Sequence, residues 1–246
     1  MKMEILEKAI KLLQSNEYHK TIDTINDFLD ENPHYRTIDY RHFANPIEEI
    51  LYDLYVDKME DANVLAMDEC LEDVYQILAI AYSATGNLDE ALRNLKIANQ
   101  INPVSSIILM RIVELHQQRH EEDKIKPYVC DIFRYAYDTE LITSNYFKLA
   151  DYLYHTNKNM ELYDHLFNFY MFLISDEAQK PVREDIEYFR ANNVPVGVNM
   201  EIIKILFYLI DMHTKQDRPH AVEYFNNILW EVSDYNEILL KIENEG

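Results

Sequence analysis

The sequence predicts an all-α fold made of antiparallel helix pairs. Its 246 residues include only three glycines and seven prolines, which leaves few positions for the tight turns that all-β folds need. Over much of the chain, apolar residues recur at the three- and four-residue spacing of amphipathic helices. The apolar content of 48% is sufficient for a real core, so global disorder is not expected.

Residues 72–105 contain the clearest helix pair. Each of its two helices has one apolar face, formed by Tyr75, Leu78, Ala79 and Tyr82 in the first and by Ala91, Leu95 and Ala98 in the second. Gly86 and Asn87 separate the helices, and Glu90 follows Asn87 at the spacing of a capping box. Pro103 ends the second helix. The small alanines predict that the two backbones approach closely.

This pattern resembles the tetratricopeptide repeat family, because every marker position of the family's repeat is matched between residues 72 and 105. Weaker copies occur at 2–35, 143–176 and 202–235. Residues 106–139 form a structural copy, in which Pro127 starts the partner helix late. The resemblance implies a right-handed superhelical array of antiparallel helix pairs, a TPR-like α-solenoid, over residues 1–246.

Two stretches lie outside the repeat register. Residues 36–71 contain an extra helix that Asn45 caps and Pro46 starts, and its predicted apolar face consists of Ile47, Ile50, Leu51, Leu54 and Tyr55. Residues 177–201 contain a shorter helix at about 182–191, and residues 235–246 are expected to form a C-terminal capping helix. No Gly/Ser-rich or Pro-rich linker divides the chain, so we expect one continuous array.

The charge balance is strongly acidic. Lysine and arginine total 23 against 44 aspartates and glutamates, and the net charge of −21 is spread along the chain. Such a surface repels phosphate backbones and anionic lipids, so neither a nucleic-acid nor a membrane partner is expected. Either the acidic residues simply keep the surface soluble, or they attract a basic partner.

Cysteine usage and the absence of targeting signals predict a cytoplasmic protein. Cys70 and Cys130 stand alone, as in a reducing compartment, and we expect both to be buried, inert thiols. The N-terminal stretch carries acidic residues and lacks a cleavage site for a signal peptide. The most apolar window, 202–210, is too short to span a bilayer.

The resemblance also implies a binding groove, because the first helix of each pair lines the concave wall of such an array. Groove positions carry apolar, aromatic and charged side chains, a mixture that suits an extended or helical peptide. The candidate partner-binding residues are Gln76, Ile80, Met110, Arg111, Glu114, Phe147, Lys148, Asp151 and Tyr154. Arg111 and Lys148 either neutralise an acidic partner or form ordinary surface pairs with Glu114 and Asp151 one turn away.

Catalytic and cofactor motifs are missing from the sequence. The three glycines are too far apart for a phosphate-binding loop, a dinucleotide turn or a nucleophile elbow. His116 and His120 have zinc-compatible spacing, but Gln117 stands where the glutamate of a zinc protease motif would be. The aromatic run at 163–172 has no lysine or arginine and indicates helix packing rather than base stacking. We therefore expect no enzyme activity, no cofactor and no metal.

The sequence thus predicts a non-enzymatic protein-interaction module that binds a peptide or partner protein in a concave groove. Two alternatives use the same helical repeats. One is a peptide-responsive regulator, and the other is a secretion-type chaperone that holds apolar client segments.

Overall fold

The computed structural model describes residues 2–36, 40–56, 63–65, 70–175 and 182–244, and they are predominantly α-helical. The all-α class predicted from the sequence is confirmed. The chain divides into two compact units, Met1–Arg119 and His120–Gly246. This boundary falls inside the predicted copy at 106–139, so the first helix of that copy belongs to one unit and the second helix to the other.

Six α-helices lie in the described part of the first unit. They are α1 (Lys2–Gln14), α2 (Tyr18–Glu31), α3 (Pro46–Tyr55), α4 (Leu71–Ala84), α5 (Leu88–Ile101) and α6 (Ser106–Gln118). Helix α4 packs against α1, α2 and α5, and α6 packs against α5. Two short strands, β1 (Tyr40–Arg41) and β2 (Asn63–Val64), pair in parallel with Tyr40 opposite Asn63.

Six further helices lie in the described part of the second unit. They are α7 (Lys126–Tyr135), α8 (Thr139–Thr156), α9 (Met160–Ser175), α10 (Val182–Ala191), α11 (Met200–Lys215) and α12 (Pro219–Asn244). Helix α8 packs against α7, α9 and α12, whereas α10 packs against α9 and α12. Helix α11 forms an antiparallel pair with α12.

The pair α4–α5 has the turn that its sequence predicts. Gly86 adopts a left-handed conformation with φ +81°, which costs a glycine little because it has no Cβ. The side chain of Asn87 then caps α5 by accepting a hydrogen bond from the backbone N–H of Glu90 at 3.3 Å. The inter-helix break and the N-cap are therefore confirmed.

Alanines lie where helices α4 and α5 meet. Ala91 and Ala98 of α5 are completely buried, and Ala79 of α4 is nearly so. A methyl side chain keeps the two backbones close, and any larger group would push the helices apart. The predicted close approach thus follows from residue size.

In the first pair, α1–α2, a threonine occupies a buried position between the helices. Thr21 is completely buried at the position where the family pattern expects alanine. Its hydroxyl donates a hydrogen bond to the backbone carbonyl of Glu17 at 3.1 Å, which satisfies the polar atom inside the core. Asn16 turns the chain between the helices with φ +58°.

Asparagine and aspartate make the corresponding turns in the second unit. Asn157 and Asn159 have positive φ between α8 and α9, and Asp217 has positive φ between α11 and α12. These residue types tolerate the left-handed region better than other non-glycine residues. Each turn falls at the predicted break.

An aromatic cluster forms the core of the second unit. The buried ring of Tyr146 on α8 lies 5.0 Å from the ring of Phe133 and 4.9 Å from that of Phe169, measured between centroids. It also stacks on Phe189 of α10 at 5.9 Å. This cluster joins α7, α8, α9 and α10. Within the aromatic run at 163–172, Leu166 and Phe169 are fully buried, as expected for helix packing. The other aromatic residues of the run, Tyr163, Phe167, Tyr170 and Phe172, are half-buried.

Two local expectations are wrong. Leu54 and Tyr55 of α3 are exposed, and Glu48 and Tyr52 are buried instead, because the buried side of this helix includes a hydrogen-bonded carboxylate. The predicted capping helix at 235–246 is not a separate element. Helix α12 runs without a break from Pro219 to Asn244, since no helix-breaking residue interrupts it.

Candidate functional site

A cleft of about 320 Å³ lies in the first unit between α4 and α6, with α5 at its base. Its floor is apolar and its rim is polar. The lining residues are Ala79, Ile80, Ser83, Ala84, Leu95, Arg111, Glu114, Leu115 and Gln118. The small side chains at the end of α4 leave this space open. At the rim, the hydroxyl of Ser83 donates a hydrogen bond to the amide oxygen of Gln118 at 3.3 Å.

Arg111 lies on the α6 side of the cleft and is held by α4. Its Nη1 donates a hydrogen bond to Oε1 of Gln76 at 2.7 Å. The amide nitrogen of Gln76 in turn donates to Oδ1 of Asp73 at 3.0 Å. Gln76 thus bridges an arginine and a carboxylate, and its two polar atoms fix the position of the guanidinium relative to α4.

Burial acts on both charged groups of this chain of hydrogen bonds. Burial lowers the pKa of the Arg111 guanidinium, while the negative charges of Asp73 and Glu114 oppose that change. Burial also raises the pKa of Asp73, and the neighbouring Glu72 adds to this effect. The wall of the cleft therefore contains partly desolvated charges that compensate one another.

Four of the nine candidate residues meet at this cleft. Ile80, Arg111 and Glu114 line it, and Gln76 holds Arg111. Met110 is different: only 6% of its surface is exposed, so its expected place on the groove wall is wrong. It points into the core because α6 buries a broad face that also includes Leu109 and Val113. Ser83, Ala84 and Leu115 line the cleft without having been singled out from the sequence.

The other four candidates lie on one face of α8 in the second unit. Phe147 is partly exposed with its ring 5.1 Å from that of Tyr170, and Tyr154 is exposed with its ring 5.4 Å from that of Tyr163. Asp151 lies 3.1 Å from Nδ1 of His155. Lys148 is half-buried on the same face. The structure thus describes a mixed aromatic and charged surface there.

A buried polar cluster in the first unit was not foreseen. Nδ1 of His42 lies 2.6 Å from Oε2 of Glu72, and both side chains are almost completely buried. Nearby, Oε2 of Glu48 accepts hydrogen bonds from the Asn102 side chain and from the backbone N–H of Ala44, each at 2.8 Å. The only sequence signal was the presence of acidic residues on otherwise apolar helix faces.

This cluster attaches the segment around α3 to α4 and α5. The backbone N–H of His42 donates to the carbonyl of Ile101 at 3.2 Å, which adds a main-chain contact to the side-chain ones. Burial raises the pKa of Glu48, and the negative charge of Glu72 raises it further, while Asn102, Ala44 and His42 oppose the change. Polar contacts of this kind require matched geometry, so they fix one position of the segment.

A second buried carboxylate joins two helices of the other unit. Asp185 of α10 is completely buried and accepts a hydrogen bond from the Asn168 side chain of α9 at 2.5 Å. Its other oxygen lies 2.7 Å from Nδ1 of His165, whose ring stacks on Tyr188 with a centroid distance of 4.1 Å. These contacts couple α9 to α10.

The thiols differ from the expected buried pair. Cys130 is exposed, so its predicted burial is wrong, and Cys70 is only partly buried. Cys130 lies on the side of α7 that carries the exposed residues Lys126 and Arg134, outside the apolar stripe of Val129, Ile132 and Phe133. Over the described ranges, no group of three or more histidine, cysteine, aspartate or glutamate side chains is placed to hold a metal ion.

The described helices include none that is both long enough and apolar enough to cross a membrane. Comparisons with protein-family models, with curated proteins and with solved structures give no match to this chain.

Proposed function

We propose that this chain is a non-enzymatic protein-interaction module and that the cleft between α4 and α6 binds a peptide segment of a partner protein. The proposal includes a tetratricopeptide-type origin for the helix pairs, suggested by the residue pattern of 72–105. A cytoplasmic location, expected from the isolated cysteines, belongs to the same proposal.

The observation that carries this proposal is the meeting of an open apolar floor with a polar rim. Ala79, Leu95 and Leu115 supply buried apolar surface beneath the cleft, and Ile80 and Ala84 continue it towards solvent. A partner side chain placed there loses contact with water, which is favourable at about 25 cal/mol per Å² of apolar surface. The rim offers hydroxyl, amide and charged groups for the polar backbone of a peptide.

The size of the cleft favours an anchoring side chain over an enclosed small molecule. Its volume of about 320 Å³ is at the low end of the range of about 300–1,000 Å³ for ligand pockets. It is also open to solvent along the rim formed by Ala84, Glu114 and Gln118. A large apolar residue of a peptide fills such a space, while the rest of the peptide follows the rim.

Arg111 has a supporting role in this proposal. Its guanidinium is already bonded to Gln76 and lies near Asp73 and Glu114, so its charge is largely compensated within the protein. It orients the cleft wall and adds a donor at one end of the floor. Specificity then comes mainly from the shape of the apolar floor.

A peptide selection tests the proposal. Short random peptides are selected on the full chain, and the strongest binder is titrated calorimetrically against the wild type, Ile80→Glu and Leu54→Glu. Ile80 lines the cleft, whereas Leu54 is an exposed apolar residue of α3 in the same unit. We expect Ile80→Glu to weaken binding by about tenfold or more, because a carboxylate on the floor loses hydration when a ligand covers it.

The Leu54→Glu variant is the matched control, since it places the same charge on an exposed position outside the cleft. Circular dichroism spectra establish that both variants are folded. Equal affinities of the two variants for the selected peptide would contradict the assignment of the cleft.

A further inference from the structure

Trp230, the only tryptophan of the chain, lies almost entirely in solvent. The exposed fraction of its surface is 80%. The buried side of α12 is formed by Phe225, Val232 and Leu239 at seven-residue spacing, and Trp230 lies on roughly the opposite side of the helix. An exposed indole contributes nothing to the core, and tryptophan is among the residues most enriched in the energetic centres of protein interfaces.

The neighbours of Trp230 on this face are polar, two of them acidic and two of them amides. Asn226, Asn227 and Asp234 are one helical turn away, and Glu223 is two turns away. Helix α12 carries the acids Glu223, Glu231, Asp234, Glu237 and Glu243 and the single base Lys241. Lys241 itself lies 2.8 Å from Glu237, so its charge is compensated.

A cleft of about 490 Å³ continues this face towards the turn between α11 and α12. Glu223, Asn226 and Asn227 line it together with residues of the turn, among them Asp217 and Arg218. Trp230 is one helical turn from Asn226 and Asn227, and the charged residues that line this recess are two carboxylates and one arginine.

We propose that the exposed face of α12 around Trp230 docks a basic segment of a partner protein. A lysine or arginine side chain of that segment lies over the indole, and Asp234 accepts a hydrogen bond from it. Tryptophan is the aromatic side chain that binds cations best. The carboxylate beside it adds a charge-assisted hydrogen bond, for which arginine has the more suitable geometry.

Charge decides between this occupant and a second copy of the chain. The net charge is −21, and α12 is itself acidic, so two such faces repel each other. A basic segment is attracted to the same face, and the attraction weakens as salt is added. The inference concerns the second unit and does not depend on the cleft between α4 and α6.

The single tryptophan allows the site to be tested by its own fluorescence. The full chain is titrated with a blocked peptide of alternating arginine and glycine, and in parallel with the glutamate–glycine peptide of equal length. We expect a saturable change of Trp230 emission with the arginine peptide, weaker at higher salt, and none with the glutamate peptide.

Variants separate the two recognition elements. Asp234→Asn is expected to weaken binding of the arginine peptide by about two- to fivefold. Asp211→Asn, on the exposed face of α11 where Asp211 pairs with Lys215 at 2.6 Å, is the matched control and should leave the affinity unchanged. The affinity of Trp230→Ala for the arginine peptide is measured by calorimetry, because this variant has no tryptophan emission. We expect a similar two- to fivefold loss of affinity, roughly the contribution of one exposed cation–π contact.

Three results would overturn the proposal. One is an equal emission change with both peptides, and another is unchanged calorimetric affinity in Trp230→Ala. The third is emission that depends on protein concentration but not on the arginine peptide, which would assign the face to a second copy of the chain.

Discussion

Tyr146 holds Gly197 through its hydroxyl group. The backbone N–H of Gly197 donates to the Tyr146 oxygen at 3.0 Å, and the hydroxyl donates to the carbonyl of Pro195, also at 3.0 Å. The tyrosine is completely buried, and burial raises its pKa far above the ordinary value of 10.0. One side chain of α8 thus fixes the loop between α10 and α11 to the aromatic core.

We predict that Tyr146→Phe lowers the free energy of unfolding by about 2 kcal/mol, because it leaves the buried N–H of Gly197 without an acceptor and removes the donor to the Pro195 carbonyl. Chemical denaturation of the full chain measures the loss. Tyr208→Phe is the control, since Tyr208 is exposed on α11. Indistinguishable denaturation midpoints for the two variants would show that the hydroxyl does not hold the loop.

Alanine substitutions at the two glycines that the structure describes should differ in how much stability they cost. Both have positive φ, +73° at Gly197 and +81° at Gly86, so both variants carry left-handed strain of about 1 kcal/mol. At Gly197 an added Cβ would lie within van der Waals overlap of the Asn236 side-chain oxygen, whereas at Gly86 it would meet open space. Thermal unfolding should therefore show a clearly larger loss for Gly197→Ala. Equal losses would mean that Asn236 moves aside at no cost.

The loop at Gly197 illustrates what the sequence did not reveal. Nothing in the residues between α10 and α11 indicates that Tyr146, some fifty positions earlier, binds this loop. The Gly86 turn was predictable because a glycine followed by asparagine acts locally. Contacts between distant residues depend on packing that no local pattern encodes.

A pH dependence follows from the buried carboxylate of Glu48. Burial raises its pKa above the ordinary value of 4.5, so the folded state retains the proton more tightly than the unfolded state. The free energy of unfolding therefore falls as pH rises from about 4.5 through the pKa of the folded state, and the loss is complete above it.

Glu48→Gln removes this dependence while keeping an oxygen that accepts from Asn102 and Ala44. We predict that the free energy of unfolding of the variant relative to the wild type increases between about pH 4 and pH 7, by about 1.4 kcal/mol for each unit by which burial raises the pKa of Glu48. Denaturation at a series of pH values gives this difference. A difference that stays constant across the series would contradict the effect of burial.

The polar cluster around Glu48 was also beyond sequence reasoning. The start of α3 was correctly predicted from Asn45 and Pro46, because helix capping depends on adjacent residues. The apolar face was only partly predicted, since Ile47 and Leu51 are buried but Leu54 and Tyr55 are exposed. Periodicity cannot indicate that a glutamate replaces an apolar residue when its partners, such as Asn102, come from another helix.

The candidate site was predictable to the extent that helix register determines it. Ile80, Arg111 and Glu114 occupy groove positions of the repeat pattern, and all three line the cleft. Met110 occupies another groove position and is buried, because the packing of α6 decides which neighbouring side chain turns inward. Helix register therefore predicts which residues are candidates for the cleft. Which of them are exposed there depends on how wide the buried face of each helix is.

Filling the cleft should block the proposed binding without unfolding the protein. Ala84 is exposed at the end of α4 and lines the cleft, so a phenylalanine at this position occupies the space meant for the ligand. We predict that Ala84→Phe lowers the affinity for a selected peptide by about tenfold or more, whereas Ala84→Ser changes it by less than about twofold. Calorimetry provides both affinities. A phenylalanine variant that binds like the serine variant would place the ligand elsewhere.

Site-directed photo-cross-linking tests the central claim most directly. The selected peptide carries a photoreactive benzoylphenylalanine in place of its largest apolar residue, the full chain is irradiated with it, and mass spectrometry locates the cross-linked residue. If the cleft between α4 and α6 holds the peptide, the adduct maps to residues that line it on α4 or α6, such as Ser83 or Gln118. An adduct on the exposed side of α3, for instance at Leu54, or equal yields there and in the cleft, would contradict binding in the cleft.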